Sequence, residues 1–170
     1  MNNATFFFNQ PKNEPVFSYA KGSKERDLLS KELEKQYNQC IEIPIIINGK
    51  EIRTGNVSEV VMPTEHSHVL AKFHKADKET VQKAIEAALE ARKKWENVHW
   101  IDRCSIMLRA AEFLAGKYRY VINAATMLGQ GKNPFQAEID SACETIDFLR
   151  FNVHYASKIY AQQPLSDNSA

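Results

Sequence analysis

"GQGKNPFQAEIDSACE", Gly129 to Glu144, decides how the second half of this chain is read. Two glycines and a lysine stand just ahead of a helix start, and Glu138, Asp140, Glu144 and Asp147 follow within ten positions. Three readings compete: a phosphate cradle, an acidic site, or a joint between two helices. A phosphate loop needs G-x-x-x-x-G-K-[ST], and a dinucleotide loop G-x-G-x-x-G, directly after a strand, so that backbone N–H groups face the phosphates. Here G-x-G-K follows a helical period, and Pro134 lacks an N–H. The spacing therefore predicts Gly129 as a helix terminator and Gly131 as a turn residue. Asn133-Pro134 then opens the next helix. Asn caps well, Pro is preset for the first helical position, and Gln136 stands where a capping-box partner belongs.

In that helix a step of about 100° per residue puts Ile139, Ala142, Cys143, Ile146, Leu149 and Val153 on one face, enough to bury it. Asp140, Glu144, Asp147 and Phe151 fall on roughly the opposite side. That acidic face is either solvated or turned toward a ligand cleft, with the paired acids of hydrolases as the extreme case. Spacing fixes no distance between carboxylates on different turns, and by itself it favours the solvated face. The helix extends to about Tyr160, before Gln162, Gln163 and Pro164 stop it.

Working outward, the pattern over 77–160 is helical throughout. Asp77 caps a helix in which Val81, Ala84, Ile85, Ala88, Ala91 and Trp95 recur at three- and four-residue steps, its alanines permitting close helix approach. A second helix runs from about Asp102, with Leu108, Ala111 and Ala115 on one side and Gly116 after its end; a third carries Val121, Ala125 and Leu128. Upstream, 43–74 reads as strands. Ile43 to Ile47 and Lys50 to Thr54 flank Asn48-Gly49, the pair that best supplies positive φ at both centres of a type I′ turn. Pro44 cannot donate to a ladder, so the first strand starts after it or lies on an edge. Val57 to Met62 and Val69 to His74, separated by a predicted turn over Pro63 to His68, complete a small antiparallel sheet or hairpin. Before it, 23–38 is a surface helix capped by Ser23, with Leu29, Leu33 and Tyr37 in one stripe, and 1–22 is an extended lead. The segment is thus α+β and mainly helical.

A hydrophobic share of 44% against 25% charged residues supports a packed core. The 22 basic and 21 acidic residues are intermixed, so no field points to nucleic acid or an anionic membrane. No apolar run approaches the roughly 20 residues that span a bilayer. Three cysteines at wide spacings, Cys40, Cys104 and Cys143, fit a reducing compartment better than a disulfide framework. Cys104 and Cys143 sit inside helical periods and read as inert. His66 and His68 share a turn or a strand face but have no third metal ligand spaced for them, and His74, His99 and His154 are isolated, so no metal site is predicted. Trp95 and Trp100 flank a helix connection and are expected to pack there.

Four stretches carry a resemblance: NEPVFSYAKGSKERD (Asn13 to Asp27), AKFHKADKETVQKAIEAALEARKKW (Ala71 to Trp95), MLGQGKNPFQAEIDSACETIDFLRFN (Met127 to Asn152) and QQPL from Gln162. In these the chain resembles the N-terminal segment of the Δ1-pyrroline-5-carboxylate dehydrogenases, within the aldehyde dehydrogenase superfamily. The resemblance implies an α/β superfamily fold, a Rossmann-like NAD domain that is incomplete here, and NAD-dependent oxidation of glutamate γ-semialdehyde to glutamate in proline catabolism. It also implies a cysteine nucleophile, a glutamate base and an oxyanion-hole asparagine. All of these match positions downstream, so residues 23–170 are expected to be a truncated N-terminal part. Such a part has no catalytic or cofactor-binding residue of its own, binds no NAD and is inactive alone. Glu144, in SACE, matches a family glutamate that looks toward the substrate end away from the aldehyde, and is the substrate-proximal candidate. Asn133-Pro134 departs from the family's bulkier residues and strengthens the helix start. A small-molecule substrate and homo-oligomerisation are implied for the full-length form. The mitochondrial matrix is the implied location; the lead lacks the early arginines of a transit peptide, which leaves the cytoplasm as the alternative. The rival reading is a short non-catalytic helical interaction module derived from that enzyme.

Overall fold

In the computed structural model, residues 7–162 are described. The proposed helix stop at Gln163 and Pro164 lies outside them. Side-chain caps account for the starts of several helices. Ser23 Oγ accepts the N–H of Arg26 at 3.2 Å and opens α1, Lys24–Tyr37. Asp77 accepts the N–H and the hydroxyl of Thr80, at 2.8 and 2.7 Å, and opens α2, Lys78–Trp95. α3 spans Trp100–Ala115 and α4 spans Arg119–Gln130. Asn133 and Gln136 form a reciprocal capping box, with N–H to oxygen distances of 2.9 and 3.1 Å, at the head of α5, Pro134–Ala137. A π-helical stretch, Glu138–Cys143, continues α5 into α6, Glu144–Ala161.

One terminator differs from expectation. α4 runs through Gly129 and ends at Gly131, whose φ of +66° turns the chain out of the helix while its N–H bonds the Met127 carbonyl at 3.0 Å. A left-handed residue ends a helix; a glycine in right-handed geometry only weakens it.

The five strands are β1 Ile41–Ile43, β2 Ile45–Ile47, β3 Lys50–Ile52, β4 Val57–Met62 and β5 Glu65–His74. Asn48 (φ +51°) and Gly49 (φ +72°) supply the two positive dihedrals that join β2 to β3. Pro44 separates β1 from β2, and the strands on its two sides enter different sheets. β4 pairs antiparallel with β5, and β1 adds a parallel pairing on the other side of β5, with Ile41 opposite Ala71 and Ile43 opposite Phe73. The predicted turn shrinks to Pro63-Thr64, because the start of β5 is held extended against the end of α1. There the His68 and Tyr37 rings stack at 4.0 Å, His68 Nε2 meets the Tyr37 carbonyl at 2.8 Å, and Tyr37 donates to Glu65 at 3.1 Å.

Two small apolar clusters hold the helices. Tyr19, Leu29 and Ala124 join α1 to α4, and Ala111, Ala142 and Ile146 join α3 to α6. Close helix approach rests on Ala111, Ala124, Ala137 and Ala142, all fully buried. It does not rest on the alanines of α2, whose single buried residue is Thr80 and whose Val81, Ile85 and Leu89 are about half exposed. Trp100 packs at the helix connection as a stacked partner of Tyr160, at 4.6 Å.

Candidate functional site

The four carboxylates that follow Gly131 divide between the interior, the surface and a groove, and the backbone of α5 and α6 explains why. Residues five apart, Ala137 with Ala142 and Glu138 with Cys143, are all buried, whereas an unbroken α-helix repeats its burial at three and four. The π-helical stretch widens one turn, carries Glu138 fully inside, and leaves Ile139 only partly buried.

Glu138 is the centre of a buried network. Its carboxylate accepts the Phe17 N–H at 2.8 Å, the Tyr19 hydroxyl at 2.6 Å and Asn123 Nδ2 at 2.8 Å, and it pairs with Arg119 of α4. Arg119, 1% exposed, also holds Glu14 at 2.5 Å and the Pro15 carbonyl at 2.6 Å, with the Phe17 ring 3.9 Å from its guanidinium carbon. Glu14 reaches on to Arg150 at 2.5 Å, and Arg150 to Glu112 at 2.7 Å. Burial by itself would raise the Glu138 carboxyl, but the hydrogen bonds from Arg119, Tyr19 and the Phe17 N–H hold it below the usual carboxylate range. Burial, and then the neighbouring Glu138 charge, raise the Tyr19 hydroxyl. The outcome is mechanical: residues 13 to 19, an extended strap, are bolted across α4 and α6. Tyr19 is held in left-handed geometry, φ +52°, as part of the same fastening. The sequence reading assigned no role to Glu14, Tyr19, Arg119 or Glu138. The signal available was Glu138's position four residues before Ala142, on the buried stripe.

Asp147 fastens the same strap from the α6 side. Its two oxygens accept Asn13 Nδ2 and the Glu14 N–H, each at 2.7 Å. Asp140 is paired with Lys132 at 2.6 Å on the surface, and this is where the lysine of G-x-G-K is engaged. Glu144 is exposed and lines a groove of about 410 Å³ together with Phe148, Phe151 and Tyr155 of α6. Asn13 of the strap, Asp147 and Asn152 complete the lining, and none of these side chains is basic. A second cleft, of about 390 Å³ between α1, α4 and the sheet, is lined mainly by aliphatic residues such as Ile41, Ile43 and Leu128.

Several of the other candidates have structural partners. Cys143 is buried beside Arg119 and Glu138, and burial pushes its thiol up to about 11, the wrong direction for a nucleophile. Burial also raises Cys104, while Cys40 is exposed. His74 bridges Glu42 at 2.7 Å and accepts the Gly55 N–H at 3.2 Å, and His154 Nδ1 meets the Phe8 carbonyl at 2.8 Å. Among the described residues no group of three or more His, Cys, Asp or Glu side chains could hold a metal ion, and no helix is long and apolar enough to cross a membrane. The segment around Gly131 does not build a dinucleotide cradle: it follows a helix, and its lysine is paired with Asp140.

Residues 51–170 match the aldehyde dehydrogenase family model, and the chain belongs to that family. Within it, the chain is 50% identical over 162 residues to Δ1-pyrroline-5-carboxylate dehydrogenase of Agaricus bisporus, which covers 95% of this chain and 30% of that protein. It is 48% identical over 154 residues to the mitochondrial Δ1-pyrroline-5-carboxylate dehydrogenase of Homo sapiens, covering 91% of this chain and 27% of the relative. The crystal structure of the Mycobacterium tuberculosis Δ1-pyrroline-5-carboxylate dehydrogenase bound with NAD superposes with a TM-score of 0.93 at 41% identity, over 98% of this chain and 31% of that one. The chain therefore spans about 30% of the length of the curated relatives it matches.

Proposed function

We propose that this chain forms the N-terminal part of an NAD-dependent dehydrogenase that oxidises glutamate γ-semialdehyde, the open form of Δ1-pyrroline-5-carboxylate, to glutamate. The observation that carries the reading is the superposition at a TM-score of 0.93 on a dehydrogenase of that name, at 41% identity over nearly the whole chain. Identity of 46–50% to several dehydrogenases of the same name favours it over a non-catalytic helical module. The segment around Gly131 does not fit NAD, and no step of the chemistry is assigned to it. The nucleophile, the base and the cofactor site belong to the part of the fold that follows this segment in the family. Several relatives are named mitochondrial, which supports that compartment.

What this chain contributes is one wall of the substrate path. Glu144 stands in a groove with three aromatic rings and no basic lining, an environment suited to a cationic group. Glutamate γ-semialdehyde carries an ammonium at the end away from its aldehyde, and Glu144 is the carboxylate placed to meet it. The test is the gene's longest product, purified and supplied with NAD and Δ1-pyrroline-5-carboxylate. It should reduce NAD, and Glu144→Gln should raise KM about tenfold with kcat within about twofold, because a charge-assisted contact to a non-reacting end is uniform binding. Absence of NAD reduction would overturn the activity, and an unchanged KM would overturn the role of Glu144.

A further inference from the structure

We propose that Asn13 is a specificity-determining residue of the Glu144 groove and that Asp147 is its positioning residue, an inference that rests on the placement of the substrate's amino end in that groove. Both Asp147 oxygens are occupied, one by Asn13 Nδ2 and one by the Glu14 N–H, each at 2.7 Å. A carboxylate holding two N–H donors has its charge answered locally, so Asp147 fixes the wall instead of meeting the ligand. Asn13 commits its NH2 to Asp147, which leaves its amide oxygen as the acceptor available to the groove. The backbone beneath it cannot drift, because Glu14 is clamped by Arg119 and Arg150 at 2.5 Å each.

The groove thus presents oxygen acceptors from two separate segments, among them Glu144 on α6 and Asn13 on the strap, beside the rings of Phe148, Phe151 and Tyr155. An ammonium has three N–H bonds to distribute and is attracted both to a carboxylate and to ring faces. Glu144 offers it a charged acceptor and Asn13 a neutral one, with the Asp147 carboxylate behind Asn13. The ligand class is an α-amino acid or α-amino aldehyde, read through its ammonium. An analogue of equal length without that group leaves both acceptors unpaired, and a site built for a hydrogen bond discriminates most strongly against the molecule that lacks it.

The test is a nuclear magnetic resonance titration of the isotopically labelled chain with L-glutamate and, separately, with glutarate, which has the same two carboxylates and no ammonium. The Asn13 side-chain amide and the Glu144 backbone amide should shift saturably with L-glutamate, with Kd for glutarate at least about tenfold weaker. Asn13→Ala and Asp147→Asn should each bring the two Kd values within about threefold of one another, with an unchanged far-ultraviolet spectrum. Equal responses to the two ligands, no shift at Asn13, or discrimination that survives Asn13→Ala would overturn the inference. NAD reduction by the longest gene product is a separate readout. Amine discrimination without it would count against the proposed activity and leave the assignment of Asn13 standing.

Discussion

Replacing Glu138 with Gln tests the claim that a buried network holds the strap. Glutamine keeps the volume, so the change creates no cavity; what it removes is the charge and one acceptor oxygen. Arg119, 1% exposed, keeps Glu14 as its only carboxylate. Of the other donors, the Phe17 N–H, the Tyr19 hydroxyl and Asn123 Nδ2, at least one must then face an NH2 group. Removing one partner of a buried ion pair costs about 3–5 kcal/mol, and here Arg119 and Arg150 would be left to share the single carboxylate of Glu14. Set against a typical total of about 5–15 kcal/mol, that is a large part of the stability. With a urea m-value of about 2 kcal/mol/M, the midpoint should fall by about 2 M, read by far-ultraviolet circular dichroism and by fluorescence of Trp95 and Trp100. Tyr19→Phe is the control. It deletes the hydroxyl's bond to Glu138 and the one it accepts from Asn123, and leaves both partners bonded to each other, so it should cost only about 1–2 kcal/mol. A loss below about 1 kcal/mol in Glu138→Gln, or equal losses in the two variants, would refute the reasoning. Converting Arg119 and Glu138 together to apolar residues should not restore the wild-type midpoint, because the Phe17 N–H and the Tyr19 hydroxyl would lose the acceptor they donate to.

Two further outcomes follow. The Glu138 carboxyl is held below its ordinary range, so its contribution is fully present above the unfolded value of about 4.3 and is lost as pH falls through the folded one. Urea midpoints should accordingly decline below about pH 4.5 in the wild type, with a shallower slope in Glu138→Gln, and parallel slopes would contradict this. At the end of α4 the two glycines should respond with opposite signs. Gly129→Ala, helical and with nothing within 4 Å of the added carbon, should stabilise by about 0.5–1 kcal/mol, whereas Gly131→Ala, at φ +66°, should destabilise by about 1 kcal/mol; melts that move in the same direction would place the terminator elsewhere.

Much of the fold was legible because its signals are local. The Asn48-Gly49 turn, the Ser23 and Asp77 caps and the Asn133–Gln136 box each act within a few residues, and each is made in the structure by the residues that announce it. The parallel pairing of β1 with β5 was not legible, because Ile41–Ile43 carries no mark of the partner thirty positions on. The candidate site divided along the same line. Glu144 was found through a family motif, and an exposed helical position agrees with it. Glu138 was passed over because burial of a carboxylate cannot be read without its counter-charge. That counter-charge, Arg119, lies on another helix, and the π-helical stretch that carries Glu138 inward leaves no local composition signal.

This division has a consequence for how the groove comes into being. The fastenings of the strap join residues 104 to 136 positions apart, from the Pro15–Arg119 contact to the Glu14–Arg150 contact. Closing such loops is entropically costly before any contact rewards it, so the strap can settle only onto helices that are already packed. α4 and α6, with the alanine contacts at Ala111, Ala124 and Ala142, must therefore be in place before Asn13 can form a wall. Glu144, in contrast, is set by α6 alone. The charge of the groove is thus a property of one helix, while its shape depends on the tertiary network centred on Glu138. Weakening that network should degrade selectivity for the amino end before it abolishes attraction for a cation.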